Sequence, residues 1–268
     1  MSNLKVVILG TGPSAAYAVM ACIKLRVEYE IISNRGPTIN FPGAFWPRLN
    51  PTSIPLESRT INVYSIGTAQ NYLAKQWGEV RSEWLESTSF PVNSREEVAY
   101  DPYLLFGEFW KHEDIRIMGN LSDYIIKDLV TEFDLAFMTF ATEKSKKVME
   151  PYVIRYPIVS HPIIGKLDDS TSLFCLYNGS GYNHIVRLSK LFGFVHAEYG
   201  KDYVLKQELV GDGKITYVPD TWPNAPIWDP SDVPAKNVIL VGRFAQWDRK
   251  VLSHNAYEFV LTKLQEFV

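Results

Sequence analysis

The run Lys5-Val-Val-Ile-Leu9 is unbroken and β-branched, as a strand buried on both faces requires. Ala15 to about Leu25 follows, rich in Ala, Met, Ile and Leu with no internal Gly or Pro, and predicts a helix. Glu28-Tyr-Glu-Ile-Ile-Ser33 predicts a second strand, completing the βαβ start of an α/β fold. Further on, apolar spacing predicts helices over 68–86, with Thr68 as cap, over 101–112, and over Ser122–Phe133. Asp114–Met118 and Asp134–Phe140 read as strands, and Glu143–Lys147 as a solvated turn. From 151 the pattern turns β-rich, with strands at Tyr152–Tyr156, Ser172–Tyr177, Phe192–Tyr199 and Tyr203–Val210, and glycine turns at 179–181 and 211–213. Lys236–Arg243 is a last buried strand and Ser253–Phe267 a final helix, with Ser253 as its N-cap.

Two stretches break these patterns. Residues 36–62 carry five prolines and two glycines, and 219–235 carry five prolines and two tryptophans. Phe41, Phe45 and Trp46 mark the first as an ordered loop lying against the core, because aromatic rings favour burial. The second reads as an ordered connector.

Composition narrows the class. Of 268 residues 46% are hydrophobic, which excludes a disordered chain. A net charge of −3 gives no global attraction to nucleic acid, though a local basic face stays open. Cys22 and Cys175 are too few for a disulfide framework and read as buried free thiols in a reducing, cytoplasmic setting. No signal peptide is evident and no run approaches the length of a membrane span. His112, His161, His184 and His196 lack metal-ligand spacing, and no nucleophile elbow, P-loop or His-Glu-x-x-His helix occurs.

Gly10-x-Gly12-x-x-Ala15, placed between strand and helix, is the strongest chemical signal. Gly10 allows the tight turn, Gly12 lets the backbone approach a pyrophosphate, and Ala15 keeps helix and strand close. The helix start offers free N–H groups and partial positive charge to the phosphates. Pro13 and Ser14 complete this dinucleotide-binding turn. An acid is expected at the end of the second strand to hold the adenosine ribose, but Ser33-Asn34-Arg35 stands there. Two readings stay open: Ser33 and Asn34 bond the ribose while Arg35 stacks on adenine, or Arg35 pairs with the 2′-phosphate of NADP.

The last strand ends in Gly242-Arg243, followed by Phe244-Ala245 and a helix. This resembles the second signature of the FAD-dependent superfamily of amine oxidases, glycine oxidase-like enzymes and UDP-galactopyranose mutases. Gly10-Thr-Gly-Pro-Ser14 is similar to a turn common among flavoproteins, and Asp134–Thr139 resembles the middle strand. The resemblance covers residues 4–35, 134–140 and 236–260. It departs at Arg243, where many relatives have an acid, and at the second strand; the chain is also shorter than most relatives.

The resemblance implies a three-layer, Rossmann-like α/β FAD-binding domain of residues 1–149 and 216–268, with a β-rich substrate or lid segment at 150–215. Cofactor contacts fall on Gly10, Gly12, Pro13, Ser14, Ala15, Ser33, Asn34, Arg35, Arg48, Gly242, Arg243, Phe244, Leu252 and Ser253. The start of the final helix, with His254 if protonated, is expected to stabilise a reduced, anionic flavin. His161, Tyr177, Asn178 and His254 are the catalytic candidates, with Arg155 and Tyr156 beside them. The implied chemistry is oxidation of a carbon–nitrogen bond in a small-molecule amine or a modified nucleobase. In fold and size the chain is similar to phage flavoproteins that convert glycyl-thymidine in DNA to aminomethyl-deoxyuridine. In that case Arg48, Arg59, Trp46 and Trp110 would meet phosphates and bases. The alternatives are a non-redox enzyme of the mutase kind, for which Gly242-Arg243-Phe244 speaks, and a non-catalytic NADP-binding protein.

Overall fold

The computed structural model describes residues 4–37, 39, 41, 43–85, 90–163, 172–181, 183–201, 203, 211–221, 233–246 and 252–267. In chain order the elements are β1 (Lys5–Leu9), α1 (Pro13–Leu25), β2 (Glu28–Ser33), β3 (Arg59–Gly67), α2 (Ala69–Trp77), β4 (Arg95–Ala99), α3 (Pro102–Trp110), β5 (Ile115–Ile117), α4 (Asp123–Leu129), β6 (Leu135–Met138), α5 (Glu143–Met149), β7 (Val153–Pro162), β8 (Leu173–Gly179), β9 (Ile185–Leu191), β10 (Phe194–Tyr199), β11 (Lys214–Thr221), β12 (Val238–Leu240), a short α6 (Arg243–Gln246) and α7 (Asn255–Gln265).

The first sheet is parallel, in the order β12-β6-β1-β2-β5. Successive residues of β1 point to opposite faces, and both faces are covered. Val6 and Ile8 join a core with α1, α3 and α7, whereas Val7 and Leu9 join Ile126, Val130 and Leu240 on the other side. This is the expected three-layer α/β architecture. Helix α1 is buried from Ala15 to Cys22, which its small, apolar sequence permits.

The second sheet is mixed, in the order β11-β7-β10-β9-β8-β3-β4, with β3 and β8 pairing in parallel. Its strands are not drawn from 150–215 alone, since β3 and β4 precede residue 100. Those two strands, β9 and β11 carry no expectation from the apolar pattern, and the end of β11 takes up residues 219–221 of the expected connector. The loop between β2 and β3 joins the two sheets: Phe41, Phe45, Leu49 and Ile54 pack in the first core, Ala44 and Trp46 in the second.

Several local expectations are corrected. Glu143–Lys147 is helical, because Thr142 caps α5 by accepting the Ser145 N–H at 2.9 Å. The helix expected over 68–86 stops at Trp77, where Gly78 takes a left-handed φ of 79°. Ser253 is not the cap of the last helix. His254 holds that position without a side-chain cap, and the Leu252 N–H goes to Asn255 Oδ1 at 2.9 Å. Most of the strand expected at Tyr203–Val210 and of the connector at 219–235 lies outside the described residues.

Helix α3 begins at Asp101, whose carboxylate accepts the N–H groups of Tyr103 and Leu104 at 2.8 and 3.2 Å. Asp101→Ala is expected to lower stability by about 1 kcal/mol, read from the urea midpoint.

Candidate functional site

The C-terminal ends of β2, β1, β6 and β12 lie side by side. The Gly10 N–H donates to Ile32 O (2.8 Å), Thr139 N–H to Leu9 O (3.0 Å) and Val241 N–H to Met138 O (2.8 Å). From β1 the chain runs outward to β2 and β5, then returns to β6 and β12 on the other side. The crevice between β1 and β6 is therefore the topological switch point where open α/β sheets bind ligands.

The glycine turn closes this crevice from below. Gly10 has φ +115°, and a Cβ there would run into Thr139 Oγ1. Gly12 is the N-cap of α1, Pro13 occupies its first turn, and a Cβ on Gly12 would meet nothing within 4 Å. Gly10 is thus demanded by the protein, whereas the space at Gly12 is left for something else. Gly242 has φ +88°, and a Cβ on it would lie 2.6 Å from Ser14 Cβ. The two glycine signatures, 230 residues apart in sequence, therefore meet at the start of α1. Ala15 is buried behind them. The Phe244 side chain lies outside the described residues.

At the end of β2, Ser33 is 2% exposed and its hydroxyl faces Thr11 Oγ1 at 3.2 Å, while the Arg35 N–H donates to it at 3.4 Å. Ser33 is thereby spent on fixing the turn, leaving Asn34 and Arg35, both exposed, as the groups that face outward there.

Arg48 and His254 are brought together. The Arg48 guanidinium pairs with Glu97 of β4 at 2.6 Å, and His254 sits within the field of both. Burial, then Arg48, push the His254 imidazole below its ordinary pKa, against a pull from Glu97. That balance favours the neutral imidazole. The neighbouring Leu49 carbonyl accepts from Tyr17 Oη at 2.7 Å, which docks this loop on the first turns of α1. Arg243 is half-buried, as is Ser253, and Leu252 is exposed.

The remaining catalytic candidates are dispersed. His161 lies on β7 and faces Asp212 at 3.5 Å. Tyr177 and Asn178 lie on β8, with two strands between. Tyr177 is buried against Tyr72 (5.7 Å between ring centres) and under Arg187 (5.5 Å). Asn178 organises a turn, donating to Asn183 Oδ1 and Ile185 O and accepting from Ser180. Arg155 is exposed and Tyr156 buried on β7. Trp110 is buried and packs edge-on against Phe109, so it offers no face to a base, and Trp46 Nε1 donates to Glu97 at 3.1 Å.

The second sheet holds polar groups that the sequence pattern did not single out. Arg187 and Glu198, cross-strand partners on β9 and β10, form a buried ion pair, and the Ala44 N–H donates to Glu198 at 2.7 Å. Next to them Ser160 Oγ meets His196 Nδ1 at 2.8 Å. Burial pushes His196 down to about 4, with Glu198 pulling the other way. The unfolded chain takes up this proton near pH 6.5 and the folded chain refuses it until about pH 4. Stability is expected to fall by about 3 kcal/mol as pH drops through that window, and to be independent of this group above it. Urea titrations at pH 7, 5.5 and 4 on wild type and His196→Asn check it, the variant showing a flatter profile.

Both cysteines are free and buried, and burial raises each thiol to about 12. Among the described residues no helix is long and apolar enough to cross a membrane.

No protein-family model and no curated protein sequence matches the chain. Solved structures do. Reduced UDP-galactopyranose mutase superposes over 100% of this chain and 94% of its own, with a TM-score of 0.56 and 7% identity. CmlS, a flavin-dependent halogenase, gives 98% and 57%, TM-score 0.53 and 10% identity. RebC with bound 7-carboxy-K252c gives 98% and 62%, TM-score 0.50 and 14% identity. The chain spans less than two thirds of CmlS and of RebC, and the superposition covers 94% of the mutase. These likenesses define the fold as the Rossmann-like one of the flavoproteins, with a second sheet beside the parallel one.

Proposed function

We propose that this chain is an FAD-dependent oxidoreductase acting on a carbon–nitrogen bond. The contact of Gly242 with Ser14 carries the reading, because it brings both glycine signatures to one crevice whose floor at Gly12 is open. The residues fit the cofactor. The Gly10–Ala15 turn and the α1 start would hold the pyrophosphate, Asn34 and Arg35 the adenosine, and Gly242 with the start of α7 the other end. FAD, when bound, supplies the hydride acceptor for the carbon of a C–N bond, after which water hydrolyses the imine. The chain's own part is to hold the substrate and to keep the crevice electropositive, through two helix starts and Arg48. No nucleophile is needed for this chemistry, which accords with the dispersed His161, Tyr177 and Asn178.

The substrate class is a small-molecule amine or an aminoacyl-modified nucleobase such as glycyl-thymidine. The experiment is the visible spectrum of the purified protein, followed by identification of the cofactor released on denaturation. A yellow protein that releases FAD, and that frees aldehyde or peroxide from amines, is the expected result. A colourless protein that does not bind added FAD sinks the reading and favours NADP at Arg35. The mutase reading has support of its own in Gly242-Arg243-Phe244 and in a superposition that covers 94% of the mutase chain. Isomerisation of a sugar nucleotide without net oxidation would establish it instead.

A further inference from the structure

One carboxylate of the second sheet holds the loop that docks on α1 of the first layer. Glu97 lies on β4 with its side chain 9% exposed. It accepts from three side chains: Arg95 Nε at 2.7 Å, Arg48 Nη2 at 2.6 Å and Trp46 Nε1 at 3.1 Å. Arg95 belongs to the same strand, whereas Trp46 and Arg48 belong to the loop that joins the sheets. Arg48 and Trp46 share Oε2, and Arg95 takes Oε1, so both carboxylate oxygens are committed.

The loop is held from the other side as well. Tyr17, one turn beyond the glycine motif, donates to the carbonyl of Leu49. Arg48 is thus set in a loop tied to β4 on one side and to α1 on the other. Two guanidinium groups share one carboxylate, leaving one positive charge in excess, and the Arg48 side chain stays 39% exposed. Glu97 is its partner among the described residues. A guanidinium on a flexible stem recognises an anion well only when one edge is already fixed, which leaves the other edge aimed.

We infer that Glu97 is a positioning residue: it holds Arg48 at the mouth of the crevice for an anionic group of the bound dinucleotide, and so links ligand binding on the first sheet to the order of β4 on the second. This rests on the FAD reading above. Neutralising Glu97 keeps the charge of Arg48 but releases its place.

The test titrates apo-protein with FAD, followed by flavin fluorescence, and measures backbone hydrogen exchange of residues 95–99 with and without FAD. In wild type, FAD slows exchange in β4. Glu97→Gln weakens FAD binding about tenfold or more, the loss expected for one charge-assisted hydrogen bond, and abolishes the slowing. Arg48→Met gives the same two results while leaving Glu97 paired with Arg95 and Trp46, and it decides the matter should Glu97→Gln fail to fold. Wild-type affinity in either folded variant, or FAD binding to wild type without change in β4 exchange, overturns the inference and leaves the FAD reading standing. Failure of wild type to bind FAD overturns both.

Discussion

Gly12→Val is expected to abolish FAD binding while leaving the melting temperature within a few degrees of wild type. The reason lies in the contrast among the three glycines of the crevice. At Gly10 and Gly242 the backbone is left-handed, and an added Cβ strikes Thr139 or Ser14. A side chain there damages the protein itself. Gly12 has φ −82° and ψ −179°, an extended conformation that valine adopts freely, and its Cβ direction is empty to 4 Å. The valine methyl groups would therefore harm nothing in the protein and would fill the space a pyrophosphate needs. Flavin content after denaturation and a thermal melt, read together, check this. Normal flavin content in Gly12→Val would remove the basis of the cofactor assignment. Loss of fold together with flavin would mean that the space at Gly12 is required by the protein after all. Gly242→Ala is the control that should fail on stability first.

Glu198→Ala is expected to cost about 3–5 kcal/mol, the range for breaking a buried ion pair from one side. Glu198 is 1% exposed, and its carboxylate accepts from Arg187 Nε at 2.8 Å and from the Ala44 N–H at 2.7 Å. Burial favours loss of the Arg187 proton, but Glu198, followed by Tyr72, Tyr177 and Tyr156, outweighs it, and the guanidinium stays charged. Removing Glu198 leaves that charge buried under the Tyr177 ring and strips the Ala44 N–H of its acceptor. Against a total stability of about 5–15 kcal/mol, such a loss is a large share. Urea midpoints at constant slope measure it. The double variant Arg187→Met with Glu198→Leu should recover more than half of the loss, because no charge then remains to be solvated. A Glu198→Ala protein within about 1 kcal/mol of wild type would show that water reaches Arg187, placing the pair among exposed ones.

The first sheet was legible because its strands are apolar on both faces and its helices carry ordinary signals. Val6 to Leu9, the α1 run and the caps at Thr68 and Ser122 mark their elements without tertiary context. The second sheet was only partly legible. In β9 the buried positions include Ser189, and the half-buried Arg187 finds its partner Glu198 on the next strand. The apolar alternation that marks a strand is therefore broken by residues facing inward. In β4, Arg-Glu-Glu-Val-Ala, the edge position permits charge, and Glu97 points inward only because three donors wait there. In β3, Ile61 and Val63 do alternate, but the preceding prolines concealed the start. The glycine turn and Gly242 were legible as motifs; their contact through Ser14 was not, since 230 residues separate them. Arg48 stood among the expected site residues, yet Glu97, which pairs with it, carries no local signal.

The order β12-β6-β1-β2-β5 also sets a timetable for biosynthesis. The wall of the crevice at β12 and the helix that packs beside α1, with Tyr257, Val260 and Leu264 in the same core, are translated more than 220 residues after the glycine turn. Until then the side of α1 that meets α7 has no cover, although β1 and α3 already pack on its other residues. A nascent chain would thus expose that apolar side to chaperones until α7 is made, and the crevice between the two glycine signatures would be completed in a single late step.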